Sequence, residues 1–229
     1  MNRQASGPVS PHHLIRVGAV AAWIVCIGDF VVSFLLAAQI PGYDPMAQSE
    51  SVMGSSTSPV AGWVAVWGVA FSLLFLMFSL GFFHAFSEKG KAARAAAWML
   101  LLYGLGEGIG SGFLPFDFVN GKLTLSGQLH NLISGIGDTG LIFMPLVARK
   151  VFTLRERPRM HAWSLLVFLV GMVFIILFLA TRFIGPGHGI FSYRGLWQRL
   201  YLLDYYLYLM AGALVMFKKP LHPGENITN

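Results

Sequence analysis

Glu107, His130 and Asp138 are the residues of this chain best suited to chemistry, and they share one stretch, residues 103–138. Glu107 sits among five alternating glycines, Gly104, Gly106, Gly108, Gly110 and Gly112, in an otherwise apolar run. The run breaks at Pro115, shows Asp117, and resumes through His130, Ser134 and Asp138. Carboxylates and an imidazole brought together can bind a cation or relay a proton. In threes they can hold a metal ion whose bound water becomes a nucleophile. Two more carboxylates, Asp29 and Asp204, and the guanidinium of Arg182 lie in or at the end of other apolar runs.

These groups need a scaffold, and composition says which kind. The chain is 55% hydrophobic and 11% charged over 229 residues, whereas soluble domains carry about a quarter charged residues. A helix crossing the roughly 30 Å hydrocarbon core of a bilayer needs about 20 predominantly apolar residues. Six segments satisfy this: 14–40, 60–86, 93–113, 129–148, 163–184 and 197–217. The expected fold is all-α, a single six-transmembrane-helix bundle over 14–217 with tails at 1–13 and 218–229. Pro41-Gly42, Gly90, Pro115, Pro158 and Gly185-Pro186 fall at span ends, where a missing N–H or a positive φ costs least. Pro145 lies inside the fourth span and is expected to bend it. The first span is too long for a signal-peptide core and has no small-residue cleavage site, so it is expected to remain.

Lysine and arginine set the orientation. One set of span ends carries Arg3, Arg16, Lys89, Lys91, Arg94, Arg149, Lys150, Arg155, Arg157, Arg159, Lys218 and Lys219; the other carries Lys122, Arg182, Arg194 and Arg199. Twelve against four places both termini in the cytoplasm of a multi-pass plasma (inner) membrane protein and turns loops 41–59, 114–128 and 185–196 outward. The net charge of +6 therefore expresses topology, and no nucleic-acid partner is expected. The Asn226-Ile227-Thr228 sequon falls on the side that is not glycosylated.

With this orientation every membrane-embedded carboxylate lies in the outer half. Charged residues in spans normally face a bundle interior or a wet cavity, and helical spacing agrees. His130, Ser134 and Asp138 recur at i, i+4 and i+8, as do Tyr103, Glu107 and Ser111. Asp29 and Ser33 share a face of the first span; Tyr201, Asp204 and Tyr208 share one of the sixth. The expectation is an outward-opening pocket walled by four carboxylates, His130 and Arg182. Structural alternatives stand beside it: Asp29 paired with Arg182, Asp204 held near Arg199, and His130 serving only as a hydrogen-bonding residue at a helix entrance. The glycines form overlapping small-xxx-small patterns that let helices approach closely, which makes the third span the expected central helix, clasped by its neighbours.

Several chemistries drop out. No lysine lies within a span to form a retinal Schiff base, and His84 and His130 fall at opposite ends, so they cannot hold a haem between them. The one cysteine, Cys26, excludes a disulfide framework. Neither a phosphate-binding glycine loop nor a GxSxG sequence is present.

The outer segments carry a resemblance. Gly42-Tyr43-Asp44-Pro45-Met46-Ala47-Gln48-Ser49-Glu50-Ser51, then Gly112-Phe113-Leu114-Pro115-Phe116-Asp117, then Leu129-His130-Asn131 and Ser134-Gly135-Ile136-Gly137-Asp138 resemble a bacterial and archaeal membrane family called domain of unknown function 998. The similarity runs over residues 14–217. It implies a six-helix integral membrane fold and supplies no activity.

Three function classes remain. The first is binding or sensing of a lipid or another cationic amphipathic ligand. The second is a metal-dependent lipid hydrolase holding zinc through His130, Asp138, Glu107 and His188. The third is a small proton-coupled transporter, against which stand the short chain and the lack of paired broken helices. Membrane lipids are expected partners of each, a second copy of the chain is a further candidate, and no cofactor other than zinc is indicated.

Overall fold

The computed structural model describes residues 11–185 and 187–218. Arg3, Pro186, Lys219, the Asn226 sequon and most of both expected tails lie outside the described residues. The chain is helical nearly throughout, as an apolar sequence must be where no water is at hand for its backbone. The helices are α1 (Pro11–Ala37), α2 (Ala61–Ala85), α3 (Lys91–Tyr103), α4 (Leu125–Val151), α5 (Pro158–Ile184) and α6 (Arg194–Phe217). Five of them, all but α3, are long and apolar enough by themselves to cross a membrane. Helix α3 continues as a π-helix over Gly104–Gly110 and ends in one more turn at Ser111 and Gly112. Helix α4 runs unbroken through Pro145. A two-residue hairpin between α3 and α4, β1 (Phe118–Val119) and β2 (Lys122–Leu123), turns on Asn120 and Gly121, both at positive φ.

Each helix packs on the next, and α6 returns to α1, so the six close a ring. Neighbours are antiparallel all the way round. Gly18 approaches Gly81 while Gly28 approaches Trp67; Asp29 bonds Tyr206 while Arg16 lies over Phe217. The third helix is clasped by its neighbours α2 and α4 as expected, but it is not central: among the described residues no helix stands in the middle of the ring. The space inside is filled by side chains. Phe71, Phe75, Phe78 and Phe82 of α2 form a ladder of edge-on and tilted ring contacts that reaches Tyr103 and Phe152.

The glycine series explains the clasp. A Cβ on Gly104 would strike Phe75, and on Gly108 it would lie 2.5 Å from the Gly68 carbonyl, both on α2. On Gly106 it would lie 2.7 Å from Gly137 Cα, and on Gly110 it would strike Ile133, both on α4. The alternation thus serves two neighbours at once. It also loosens the helix. Ser72 of α2 places its hydroxyl between the Gly104 carbonyl (2.7 Å) and the Ile109 N–H (2.9 Å), groups five residues apart, and bonds both. A side chain inserted into the hydrogen-bond ladder is a known cause of such widening, and π turns concentrate at functional sites.

The ring has a basic end. Lys89, Lys91, Arg94, Arg149, Lys150 and the 155–159 arginines gather there with Arg16 and Lys218. Lys89 bridges to Glu156 across two loops; with Thr153, it holds the Glu156 carboxylate below its ordinary value. The opposite end carries the longer loops and the polar residues of the spans.

Candidate functional site

At the end opposite the basic residues the ring surrounds a partly open cavity of about 120 Å³, room for several waters. Four elements each bring one carboxylate to its wall: Asp29 on α1, Glu107 on the π turn, Asp138 on α4, and Glu50 on the 3₁₀ segment Glu50–Gly54 of the first loop. His130, Ser33 and Ser111 line it too, and Trp67, Phe71, Tyr103 and Tyr201 supply aromatic surface.

Each acid has a different degree of satisfaction. Asp29 is fully partnered: Trp67 Nε1 donates to Oδ1 at 2.8 Å and the Tyr206 hydroxyl to Oδ2 at 2.7 Å. The Tyr103 and Tyr206 hydroxyls lie 2.7 Å apart, extending this network into the core. Glu107 accepts from Ser134 across the α3–α4 contact. Glu50 accepts from Ser33 at 2.6 Å and lies 3.6 Å from Arg199 Nη2. Asp138 is the exception. Its Oδ2 has only a 3.5 Å contact from the Tyr201 hydroxyl, and its buried Oδ1 has no partner. His130 is fixed by a 2.7 Å bond between Nδ1 and the Leu114 carbonyl and by contact with Phe116. Arg199, 5% exposed, is the nearest cation that the described residues place against this acidic group.

Carboxylate oxygens attract positive charge, and aromatic faces attract it again through their quadrupoles. Among the described residues no group of three or more His, Cys, Asp or Glu side chains could hold a metal ion, although His130, Asp138 and Glu107 share the cavity wall.

Comparison with known proteins yields a family match. A family model described as protein of unknown function (DUF998) covers residues 17–215. The chain belongs to that family. No curated protein and no solved structure matches it. Membership of DUF998 together with five span-length apolar helices makes this a multi-pass membrane protein.

Of the residues singled out in the sequence of this DUF998 protein, Asp29, Ser33, Tyr103, Glu107, Ser111, His130, Asp138 and Tyr201 come to the cavity, and Ser134 reaches it through Glu107. Others stand apart. Arg182 is exposed and donates to Asn131 at 2.8 Å, so it neither walls the cavity nor pairs with Asp29. Asp117 accepts from the Ser56 N–H at 2.8 Å and ties the α1–α2 loop to the α3–α4 loop. Tyr208 bonds Ser164 at 2.7 Å, and Asp204 lies against Gly171, both on α5. A step of i+3 turns Asp204 about 60° away from Tyr201, and α6 has α5 as well as the cavity to face. His188 is exposed on its loop.

Glu50, Gln198 and Trp67 are contributors that the residue-type reading passed over. Glu50 occurs in a loop, where a carboxylate needs no explanation. The usable signal was Arg199, an arginine within an apolar span; the structure buries it and pairs it with Glu50, not with Asp204 of its own helix. It donates to the Pro45 carbonyl at 2.6 Å and to the Tyr43 hydroxyl at 3.3 Å, and so draws the whole loop down onto α6. Burial raises the Tyr43 phenol above its ordinary value despite the neighbouring guanidinium, which keeps its hydroxyl a donor to the Gln48 and Ser49 carbonyls.

Proposed function

We propose that this is a six-span protein of the plasma (inner) membrane with both termini cytoplasmic, whose outward cavity binds the cationic group of an amphipathic molecule, lipid above all. The sixth span is α3 taken together with its π turn, which runs from residue 91 to 112. The orientation rests on the basic end. The ligand class rests on one observation: Asp138, which lines a cavity that already holds three other acids, has a buried carboxylate oxygen without a partner. Buried polar atoms without partners are rare in proteins and call for an explanation. A cationic headgroup would supply the partner, Tyr103, Tyr201 and Trp67 would flank it, and Val32, Leu36 and Leu202 would meet apolar chain.

The test is thermal unfolding in a neutral detergent with three probes held below micellar concentration. Dodecyltrimethylammonium is expected to raise Tm by several degrees, since a ligand at 100 times its Kd adds about 2.7 kcal/mol. The rise is expected to vanish in Asp138→Asn. An equal rise with dodecyl sulfate would remove the acidic-cavity reading. Tetramethylammonium as the third probe separates sources: if it alone suffices, the ligand is a free ammonium ion and not a lipid. Zinc added in the same assay examines the hydrolase alternative. A rise lost in His130→Ala would bring that reading forward. A proton-transfer role draws on the bonded run Asp29–Tyr206–Tyr103, and a pH-driven flux in liposomes is its check.

A further inference from the structure

Glu50 is the only cavity acid that does not sit on a helix of the ring. It opens the 3₁₀ segment Glu50–Gly54 and is held from the α6 side by two residues. Its N–H donates to Gln198 Oε1 at 2.8 Å, and its carboxylate faces Arg199. Arg199 also holds the stretch leading into the segment, through the Pro45 and Gln48 carbonyls and Tyr43. Gly195 marks how close the seating is, since a Cβ there would strike the Pro45 and Gln48 carbonyls. At its other end the segment buries Met53 in a small apolar cluster with Leu36, Ala37 and Val60. That cluster is separate from the main core. Ser33 of α1 also donates to the Glu50 carboxylate at 2.6 Å, and Asp117 holds the Ser56 N–H just beyond the segment; a unit with its own small core and a few polar fastenings can open while the rest of the fold stays intact.

Glu50 therefore has the cavity on one side and a protein cation on the other. We propose that the Glu50–Gly54 segment is a gate whose lifting widens the way into the cavity for a cation, and that Arg199 is the positioning residue that latches it through Glu50. The proposal rests on the cation-cavity reading and adds its control. An entering cation and Arg199 compete for one carboxylate, so occupancy and latch strength oppose each other.

The experiment needs no natural ligand. In a Cys26→Ala background, Ser111→Cys places a thiol on the cavity wall. Its labelling is followed by the mass of the peptide carrying residue 111, with a cationic and an anionic methanethiosulfonate of similar size. Gly54→Cys and Val64→Cys are added as a pair. A Cβ on Gly54 would lie 3.5 Å from Val64 Cγ1, within reach of a disulfide. Oxidation is expected to slow labelling by the cationic reagent at least about tenfold, and reduction beforehand to restore it. Arg199→Gln is expected to speed labelling, and Arg199→Lys to speed it less, because lysine keeps the charge but loses the fork. Labelling at the same rate with the segment cross-linked would overturn the gate, as would failure of the pair to cross-link, since the segment would then not be seated on α2. If the cationic reagent shows no preference over the anionic one in either state, the cation-cavity reading itself falls. The two failures are thus told apart, and the cross-link keeps its force should Arg199→Gln fail to fold.

Discussion

Glu107 and Asp138 line the same cavity and differ in one respect that matters for mutation: Glu107 has a hydroxyl donor in Ser134, whereas Asp138 Oδ1 has none. Glu107→Gln keeps an oxygen that can accept from Ser134. The change replaces a hydrogen bond to a charged group by one to a neutral group, a difference of about 1 kcal/mol. A chain of this size should then lose about 2–4 °C in Tm while losing most of its gain from dodecyltrimethylammonium. A variant that keeps the full probe effect would exclude Glu107 from the site. The stripes His130–Ser134–Asp138 and Tyr103–Glu107–Ser111 were legible as spacing, because i+4 steps on adjacent antiparallel helices must face each other somewhere. The destination of Asp204 and Tyr208 was not. Period alone cannot say which of two neighbours a helix face meets.

At the scale of elements, the glycines of α3 do two things at once, and only one showed in the sequence. Small residues at i+4 announce close approach, and Gly104, Gly108 and Gly112 do meet α2. The π turn was hidden because its cause lies on another helix, in the hydroxyl of Ser72. The seating of the first loop was hidden for a similar reason, since Arg199 organises it from 150 residues away. Gly108→Leu separates packing from loop effects. Its side chain would have to displace the Gly68 backbone, which cannot swing aside as a side chain would. Overpacking costs about 1–3 kcal/mol, and the upper end is expected here, with loss of detergent-stable protein. Gly135→Leu is the matched control, because a Cβ there meets nothing within 4 Å. Equal stability of the two variants would mean that α2 and α3 do not touch at Gly108.

On the scale of the whole molecule, the ring explains why the cavity exists. Six helices closing on themselves leave an interior that aromatic side chains fill over the Phe71–Phe82 ladder, and the helices leave it open where they carry carboxylates. The all-helical class was legible, since apolar runs of this length have few other uses. The ring was not, because a central helix and a clasped one present the same glycines to a reader of sequence. The proposed outward direction of the cavity draws on the distribution of charge: lysine and arginine crowd the end away from it, and positively charged loops tend to stay cytoplasmic. Single cysteines at Ser56, Gln128 and His188, all exposed at the cavity end, should label in intact cells with an impermeant maleimide. Cysteines at Glu88 and Thr153, in the loops of the basic end, should label only after the membrane is opened. Labelling of Thr153→Cys in intact cells would invert the protein in its membrane. The cavity would then sample cytoplasmic molecules, and the gate formed by Glu50 and Arg199 would guard it from that side.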